Sequence, residues 1–317
     1  MPVEPSREEL VAAHCWEADD RVAGRPAMTL FRRRARYQQA QWREAHGHPI
    51  GTQPIVPRSN VAVRPVGSRV PLDYGRATGA GFVSPAALAA VRKRTSFVER
   101  EQSFDHQRLW ADLLSSEALS FNLFGDLSAD IRSADRAVHR WWPDAPGRVR
   151  EIRFAHSPGR LDSSYLNSLR DFDVVFVLET DRGSRAAVAV DVKFFEYNKI
   201  EQPKPANAAR IMEVCERSGA FTPEVRRLLG RTDLAVLWLE HLLLFSMLQH
   251  ESAEWAWGRY VVVHPAGNPD VVDLLARYRD YLADDSTFAT MTVGDILASR
   301  ALAPATTKAL RERYAMR

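Results

Sequence analysis

The chain has 317 residues, of which 45% are hydrophobic and 26% charged, and its formal net charge at pH 7 is +3. These values exclude a disordered or fibrous protein, and the length suits one large domain or a core with an arm. No apolar run is long enough to cross a bilayer, and the N-terminus lacks the features of a signal peptide. We therefore expect a cytoplasmic protein without membrane association, in which Cys15 and Cys215 are free thiols.

The first hundred residues predict an arm. Residues 7–45 have a helical pattern, whereas residues 46–84 are rich in Gly and Pro, which is typical of an extended, loop-like segment. Residues 21–45 contain seven arginines and a single acid, Glu44. Such a segment is typical of a phosphate-binding surface and equally of a solvated helix face. We divide the chain into an arginine-rich arm at residues 1–104 and a core at residues 105–317.

The core mixes predicted helices and strands on one chain, which indicates an α/β or α+β sandwich. A helix is expected near residues 106–124, and a second helical stretch ends before Pro143. The predicted strands cover residues 149–154, 172–178, 186–195 and 260–264. Further helices are predicted near residues 206–217, 222–229, 231–250, 268–283 and 292–302.

The two central strands are joined by residues 181–183 (DRG), which suit a three-residue hairpin loop with Gly183 in the left-handed region. Pairing residue 180 with residue 184 then places residue 173 opposite 191 and residue 171 opposite 193. Because side chains alternate along a strand, four charged groups share one face of the hairpin. These groups are Asp171, Asp173, Asp191 and Lys193.

Lysine at this position is informative because only five of the 43 lysines and arginines are lysines. Lysine is a compact charge whose pKa can shift, whereas a guanidinium stays protonated. A divalent cation between Asp173 and Asp191 would offset their repulsion, and oxygen ligands favour Mg²⁺, for which Mn²⁺ can substitute. The backbone carbonyl of Val192 is a candidate third ligand, and Lys193 would orient the attacking water in phosphodiester hydrolysis. The alternative is an Asp191–Lys193 ion pair that only closes a strand end.

The sequence around these residues resembles the PD-(D/E)XK nuclease superfamily, and the wider chain resembles a prokaryotic branch of it. Two stretches carry the resemblance, residues 170–175 (RDFDVV) and residues 189–196 (AVDVKFFE). Supporting stretches are residues 114–124 (LSSEALSFNLF), 157–160 (SPGR), 238–244 (WLEHLLL) and 264–268 (HPAGN). The resemblance runs from about residue 105 to residue 300. It implies an α/β fold with a restriction-endonuclease-like core, in which helices flank a central mixed β-sheet, preceded by a helical and irregular N-terminal arm.

The resemblance also implies roles. Asp173 and Asp191 would bind Mg²⁺, Lys193 would be the catalytic lysine, and Glu117 would be an additional acid from the first core helix, with a solvated helix residue as the alternative. Asp191 stands where this branch often has glutamate. The implied function is an endonuclease that cleaves nucleic acid, with DNA as the expected substrate, in restriction or defence. A homodimer would supply the two active sites that cutting both strands needs. The alternative is an inactive nuclease-fold module that binds nucleic acid or a protein partner.

Weaker candidates lie around this set. Residues that could contact a scissile phosphate or support the lysine are Arg160, Tyr165, Glu196 and Asn198. His241 follows Glu240 directly, and adjacent positions do not place two metal ligands on one helix face. We therefore predict that His241 is a core or capped histidine.

Overall fold

The computed structural model describes residues 4–16, 29–53, 63–195, 204–230 and 232–314. The chain forms two compact units, each built from separate segments. The first unit comprises Met1–Arg92, Phe104–Asp126 and Ala303–Arg317, and the second comprises Lys93–Ser103 and Leu127–Leu302. The division into an arm and a core at residue 104 stays a prediction, because a compact unit need not be a domain that folds alone.

The chain up to residue 129 forms helices and one small sheet. In chain order the elements are α1 (Arg7–Ala12), α2 (Leu30–Ala45), β1 (Gly51–Thr52), β2 (Pro65–Val66), α3 (Leu72–Thr78), α4 (Pro85–Thr95), a π-helical segment (Gln107–Ala111) and α5 (Ser116–Ala129). The single helix predicted near residues 106–124 is wrong, because residues 112–115 interrupt it. Asp112 is extended there, and its carboxylate accepts the backbone N–H of Leu114.

The basic segment of the arm lies partly inside the first unit. Arg32 and Arg36 are buried on α2, and Arg43 donates to two backbone carbonyl groups. Arg21 and Arg25 lie outside the described residues. Burial therefore removes Arg32 and Arg36 from the predicted phosphate-binding surface.

The rest of the chain builds a five-stranded mixed sheet with helices. In chain order the elements are α6 (Ile131–Trp141), β3 (Arg148–His156), β4 (Phe172–Glu179), β5 (Arg185–Val192), a 3-10 turn (Pro205–Asn207), α7 (Ala208–Ser218), a 3-10 segment (Pro223–Leu229), α8 (Ala235–Leu248), β6 (Trp255–His264), α9 (Pro269–Arg279), β7 (Phe288–Thr292), α10 (Val293–Ala298) and, back in the first unit, α11 (Pro304–Tyr314). The strand order is β3-β4-β5-β6-β7, with β3, β4 and β5 antiparallel and β5, β6 and β7 parallel.

This architecture confirms the predicted α/β class with a mixed central sheet. Three expectations were wrong in detail: β5 ends at Val192, residues 223–229 form a 3-10 rather than an α-helix, and β7 was not predicted. Its sequence, FATMT, carries little apolar signal. Among the described residues, no helix combines the length and the apolar character that crossing a bilayer requires.

The predicted register of the central hairpin is confirmed. The N–H of Thr180 donates to the carbonyl of Ser184 at 2.9 Å, and Gly183 has φ of +77°. The ladder then runs from Glu179–Arg185 to Val174–Val190. The next pair of positions along it is 173 and 191, so the loop chemistry decides which side chains meet at the far end of the hairpin.

Helix α8 covers one face of this sheet and is buried on nearly all sides. Alternate residues of the hairpin share a core cluster with it, among them Val175, Val177, Ala187, Ala189, Trp238 and Leu242. At Gly258 on β6 an added Cβ atom would lie 2.7 Å from Leu244 Cδ1 on α8, so a larger residue there would displace the Leu244 side chain.

His241 on α8 is a core histidine, as predicted. Its Nδ1 lies 3.0 Å from the hydroxyl of Tyr278 and its Nε2 lies 2.9 Å from Oγ1 of Thr287. The ring stacks between aromatic side chains, with Tyr260 and Phe245 among its neighbours. Burial lowers the pKa of His241 to about 3.

This histidine predicts a pH dependence of stability. Below pH 6.5 the unfolded chain binds a proton at His241 that the folded protein does not bind until about pH 3. The free energy of unfolding should therefore be highest above pH 6.5 and should fall by about 1.4 kcal/mol per pH unit below it. His241→Gln should be less stable at pH 7.5, but the gap to wild type should narrow by about 2 kcal/mol at pH 5, as measured by urea unfolding. An unchanged gap would contradict this assignment.

Candidate active site

The site lies where β4 begins and β5 ends. The hairpin register brings Asp173 and Asp191 to opposite positions just beyond the last paired residues. Oδ2 of Asp173 accepts the backbone N–H of Val192 at 2.7 Å, which holds this carboxylate across the end of the ladder. The carboxyl groups of Asp173 and Asp191 are also within hydrogen-bonding reach of each other. The structure thus brings together the two acids that the sequence pattern singled out.

Lys193 completes this set. Its Nζ lies 2.5 Å from Oδ2 of Asp191 and 3.8 Å from Oε2 of Glu240. Its backbone N–H donates to the carbonyl of Val263 at 2.8 Å, so the residue stays anchored to β6 beyond the end of β5. Burial acts to lower the pKa of Lys193, but the neighbouring carboxylates of Asp191 and Glu240 outweigh it and raise that pKa. Lys193 is therefore a charged ammonium group within the site.

Tyr260 and Glu240 lie in the site, although the sequence analysis did not assign them to it. The hydroxyl of Tyr260 on β6 donates toward Oε2 of Glu240 at 2.9 Å and lies 3.2 Å from Oδ2 of Asp191. Nη1 of Arg170 lies 3.5 Å from the other oxygen of Glu240, Oε1. Glu240 is an acid, yet it is buried within the apolar helix α8. A lone acid inside an apolar helix was the available signal, because a buried carboxylate requires a partner.

The three carboxyl groups do not ionise equally. Burial and the charge of Asp191 raise the pKa of Asp173 well above its usual value. Burial and the charge of Asp191 also raise the pKa of Glu240 to about 8. Burial opposes ionisation of Asp191 as well, but the Lys193 ammonium overcomes it and lowers the pKa of Asp191. Asp191 is thus the carboxylate whose negative charge is best stabilised.

This donor set fits a small, hard divalent cation. Within the described ranges, no group of three or more His, Cys, Asp or Glu side chains is arranged to enclose a metal ion. Mg²⁺ does not require such a cage, because it keeps several waters and is bound through one or two carboxylates. Burial and the charge of Asp191 raise the pKa of Asp173, and a cation shared by the two carboxyl groups would favour the ionised form of both. Asp173 and Asp191 would hold the ion, and the carbonyl of Val192 as a third ligand stays a prediction.

Two of the predicted neighbours have other partners. Asp171, expected on the same face as Asp173, instead accepts from Arg160 at 2.6 Å. Strand β4 begins only at Phe172, so the alternation of side chains does not extend to Asp171. Arg160 also donates to Oε2 of Glu99 at 3.1 Å, and these ion pairs fix the loop that leads into β4.

Among the remaining weak candidates, Tyr165 does not join the cluster. Tyr165 stacks on His250, with ring centroids 4.3 Å apart. Glu196 and Asn198 lie outside the described residues. These residues therefore carry no part of the assignment.

Glu117 lies in the first turn of α5 and is partly buried. It belongs to the first compact unit, whereas Asp173, Asp191 and Lys193 belong to the second. Its role as an additional acid stays a prediction. Within the second unit, the acid that a helix places beside the aspartates is Glu240.

Asp173→Asn should stabilise the protein when no divalent metal is present. In the unfolded chain an Asp carboxyl releases its proton near pH 3.9, whereas the pKa of Asp173 is raised in the folded protein. The contribution of Asp173 to the free energy of unfolding is therefore largest at low pH and is lost as the pH rises. Asparagine can still accept the Val192 N–H and carries no charge. We expect a gain of at least about 1 kcal/mol at pH 8 that disappears near pH 4.

The measurement is urea unfolding in EDTA at both pH values. Asp171→Asn is the matched control, because it removes a carboxylate that is paired with Arg160 and should give no gain. A variant Asp173→Asn that is less stable than wild type at pH 8 would contradict the raised pKa of Asp173.

Comparison with known proteins places this geometry in a family. A family model described as the PD-(D/E)XK nuclease superfamily matches residues 18–316. Searches of curated proteins and of solved structures return no significant match. The family match covers nearly the whole chain, including both strands of the site and the helices around them. The chain therefore belongs to the PD-(D/E)XK nuclease superfamily.

Proposed function

We propose that this chain is a metal-dependent endonuclease that hydrolyses phosphodiester bonds in DNA. Asp173 and Asp191 would bind Mg²⁺ and Lys193 would orient the attacking water. The observation that carries this proposal is the convergence of the three side chains at one end of the β4–β5 hairpin, with Nζ of Lys193 2.5 Å from Asp191. Burying two acids and a lysine close together destabilises the folded state unless these groups compensate one another or bind a ligand.

Each residue has a separate task. Bound Mg²⁺ would polarise a phosphoryl oxygen and lower the pKa of a water molecule. The Val192 N–H orients Asp173 by donating to its Oδ2. Asp191 keeps its negative charge because Lys193 lowers its pKa. The Lys193 ammonium has three donors, so beside its bond to Asp191 it can hold a water and offset charge that develops on a phosphate.

The alternative is a nuclease fold that binds nucleic acid without cutting it. Such a protein would gain stability by replacing one of these groups, because buried ionisable groups are often costlier than apolar residues of similar size. Asp173, Asp191 and Lys193 are all retained. Catalysis is therefore the better explanation of the site.

Several finer proposals follow from family membership. We propose action in restriction or defence, in the cytoplasm, where foreign DNA would be met. We also propose that two copies act together, because cutting both strands of a duplex takes two active sites. We further propose that the arm binds the phosphate backbone through arginines other than Arg32 and Arg36, which are buried.

A plasmid assay tests the catalytic assignment. Supercoiled DNA is incubated with Mg²⁺ and wild type, Asp191→Ala or Lys193→Ala, and nicked and linear products are quantified over time. We expect each substitution to lower the rate by at least about 100-fold, because each removes charge stabilisation from the transition state. EDTA should abolish cleavage. Asp181→Ala, in the exposed hairpin loop at the other end of β4, is the control and should cleave like wild type.

Equal rates for wild type and both site variants would contradict the assignment. A panel of single-stranded DNA, duplex DNA and RNA decides the substrate, and faster cleavage of RNA than of either DNA would overturn the proposal of a DNA nuclease. Binding of these substrates without cleavage by wild type would favour the inactive module.

A further inference from the structure

We infer that four exposed apolar side chains beside the candidate active site form a contact surface for unstacked bases of the DNA strand that is cut. This inference rests on the proposed function and names the part of the substrate that meets this face. Among the described residues, eight large hydrophobic side chains are exposed, and half of them lie on two loops of the second unit. These residues, here called the apolar patch, are Phe97, Val98, Leu161 and Leu169.

Ion pairs join the two loops that carry the apolar patch. The carboxylate of Glu99 accepts from Arg94 at 3.0 Å with one oxygen and from Arg160 at 3.1 Å with the other. Arg94 also donates to the carbonyl of Phe97. Arg160 also donates to the carbonyl of Leu169 at 2.9 Å. The backbones at Phe97 and Leu169 are therefore linked through one bridging carboxylate, which brings the two loops together.

Backbone contacts hold these loops in place. Arg94 donates to the carbonyls of Phe154 and Ala155 at 2.6 and 2.9 Å, which attaches the first loop to the end of β3. In the second loop Leu161 adopts φ of +52°, in the left-handed region that bulky residues rarely occupy, and its N–H donates to the carbonyl of Ser168 at 3.0 Å. A surface that is ordered in advance loses little conformational entropy when a ligand binds.

The apolar patch borders the candidate active site. Leu169 is followed by Arg170, whose Nη1 lies 3.5 Å from Oε1 of Glu240 in the site. Arg160 pairs at 2.6 Å with Asp171, which directly precedes β4, the strand that begins at the site. A DNA strand with a phosphate in the site therefore brings its adjacent nucleotides to the apolar patch.

The chemistry of the apolar patch fits nucleotides better than a second copy of this chain. Phe97 is 66% exposed, and an aromatic ring stacks on any base because every base has a π-face. Lys93 and Arg100 are exposed on the same segment, so cations that attract phosphates flank the apolar side chains. In a symmetric pair of copies the patch would meet itself, and these cations would approach like charges. Bases on the patch and phosphates at its margin avoid that repulsion.

Binding of single-stranded DNA tests this surface without any cleavage. Fluorescence anisotropy of a short labelled strand in EDTA gives the dissociation constants of wild type and variants at about 50 mM and about 200 mM salt. We expect Phe97→Ala to weaken binding about tenfold at both concentrations, because stacking on the ring is not electrostatic. Arg100→Ala should weaken binding at the lower concentration and lose most of its effect at the higher one, because it removes a phosphate contact.

Matched variants separate contact from structure. Val98→Ala and Val272→Ala make the same chemical change at side chains that are 54% and 44% exposed, and only Val98→Ala should weaken binding, because Val272 lies on α9. Phe97→Trp should stay within about twofold of wild type, because its ring still stacks. Urea unfolding should give Phe97→Ala the stability of wild type. Should Phe97→Ala not fold, Phe97→Leu serves the same test, since it keeps an apolar side chain without a ring.

Three results would overturn the inference while leaving the proposed function intact. Wild-type affinity in Phe97→Ala would show that no base contacts the ring. Tight binding of duplex DNA without binding of single strands would show that the bases stay stacked on each other. A change from dimer to monomer in Phe97→Ala at unchanged DNA affinity, seen by analytical ultracentrifugation, would assign the apolar patch to a second copy.

Two further results distinguish this inference from the proposed function. Failure of wild type to bind any of these DNAs, both in EDTA and with Ca²⁺, would reject the proposed DNA nuclease and the inference with it. Binding that depends on Phe97 in a protein that does not cleave would support the apolar patch and reject the endonuclease.

Discussion

The site depends on one electrostatic constraint, namely that the carboxyl groups of Asp173 and Asp191 meet in a poorly solvated place. Burial and the nearby charge of Asp191 together raise the pKa of Asp173, so the two carboxyl groups cannot both ionise without compensation. The surrounding contacts stabilise the two carboxyl groups. Val192 donates its N–H to Asp173, and Lys193 neutralises Asp191. A chain that folded without these partners would have to protonate both acids or expose them.

Burial and function are linked through α8. The helix seals the apolar face of the sheet, and the same burial that excludes water from the core strengthens every charge interaction at the edge of that core. Glu240 shows this link directly, because it belongs to the buried helix and also contacts the charged Lys193. The stability of the sheet and the charge balance of the site are consequently not separable properties.

Membership of the PD-(D/E)XK nuclease superfamily agrees with this physical description and does not replace it. The short motif of the family names an acid, a spacer and a lysine, and such a triplet is common in unrelated sequences. Its meaning here comes from position: Asp191 ends a buried strand and Asp173 begins the neighbouring one. The Tyr260 hydroxyl also links Asp191 to Glu240 on α8. The arginine-rich segment of the arm had suggested a phosphate-binding surface, but the structure buries two of its members, Arg32 and Arg36.

The sequence by itself determined the hairpin and hence the meeting of Asp173 with Asp191. A three-residue loop with Gly183 sets the register, and the two-residue period of a strand carries that register to the far end. These are local effects, and they are readable from a few neighbouring residues. Only the tertiary structure decided that Glu240 and Tyr260 join the site, that β7 completes the sheet and that Arg32 and Arg36 face inward. The rotation of a helix and the docking of distant strands depend on how side chains from separate segments pack, and no local pattern encodes that packing.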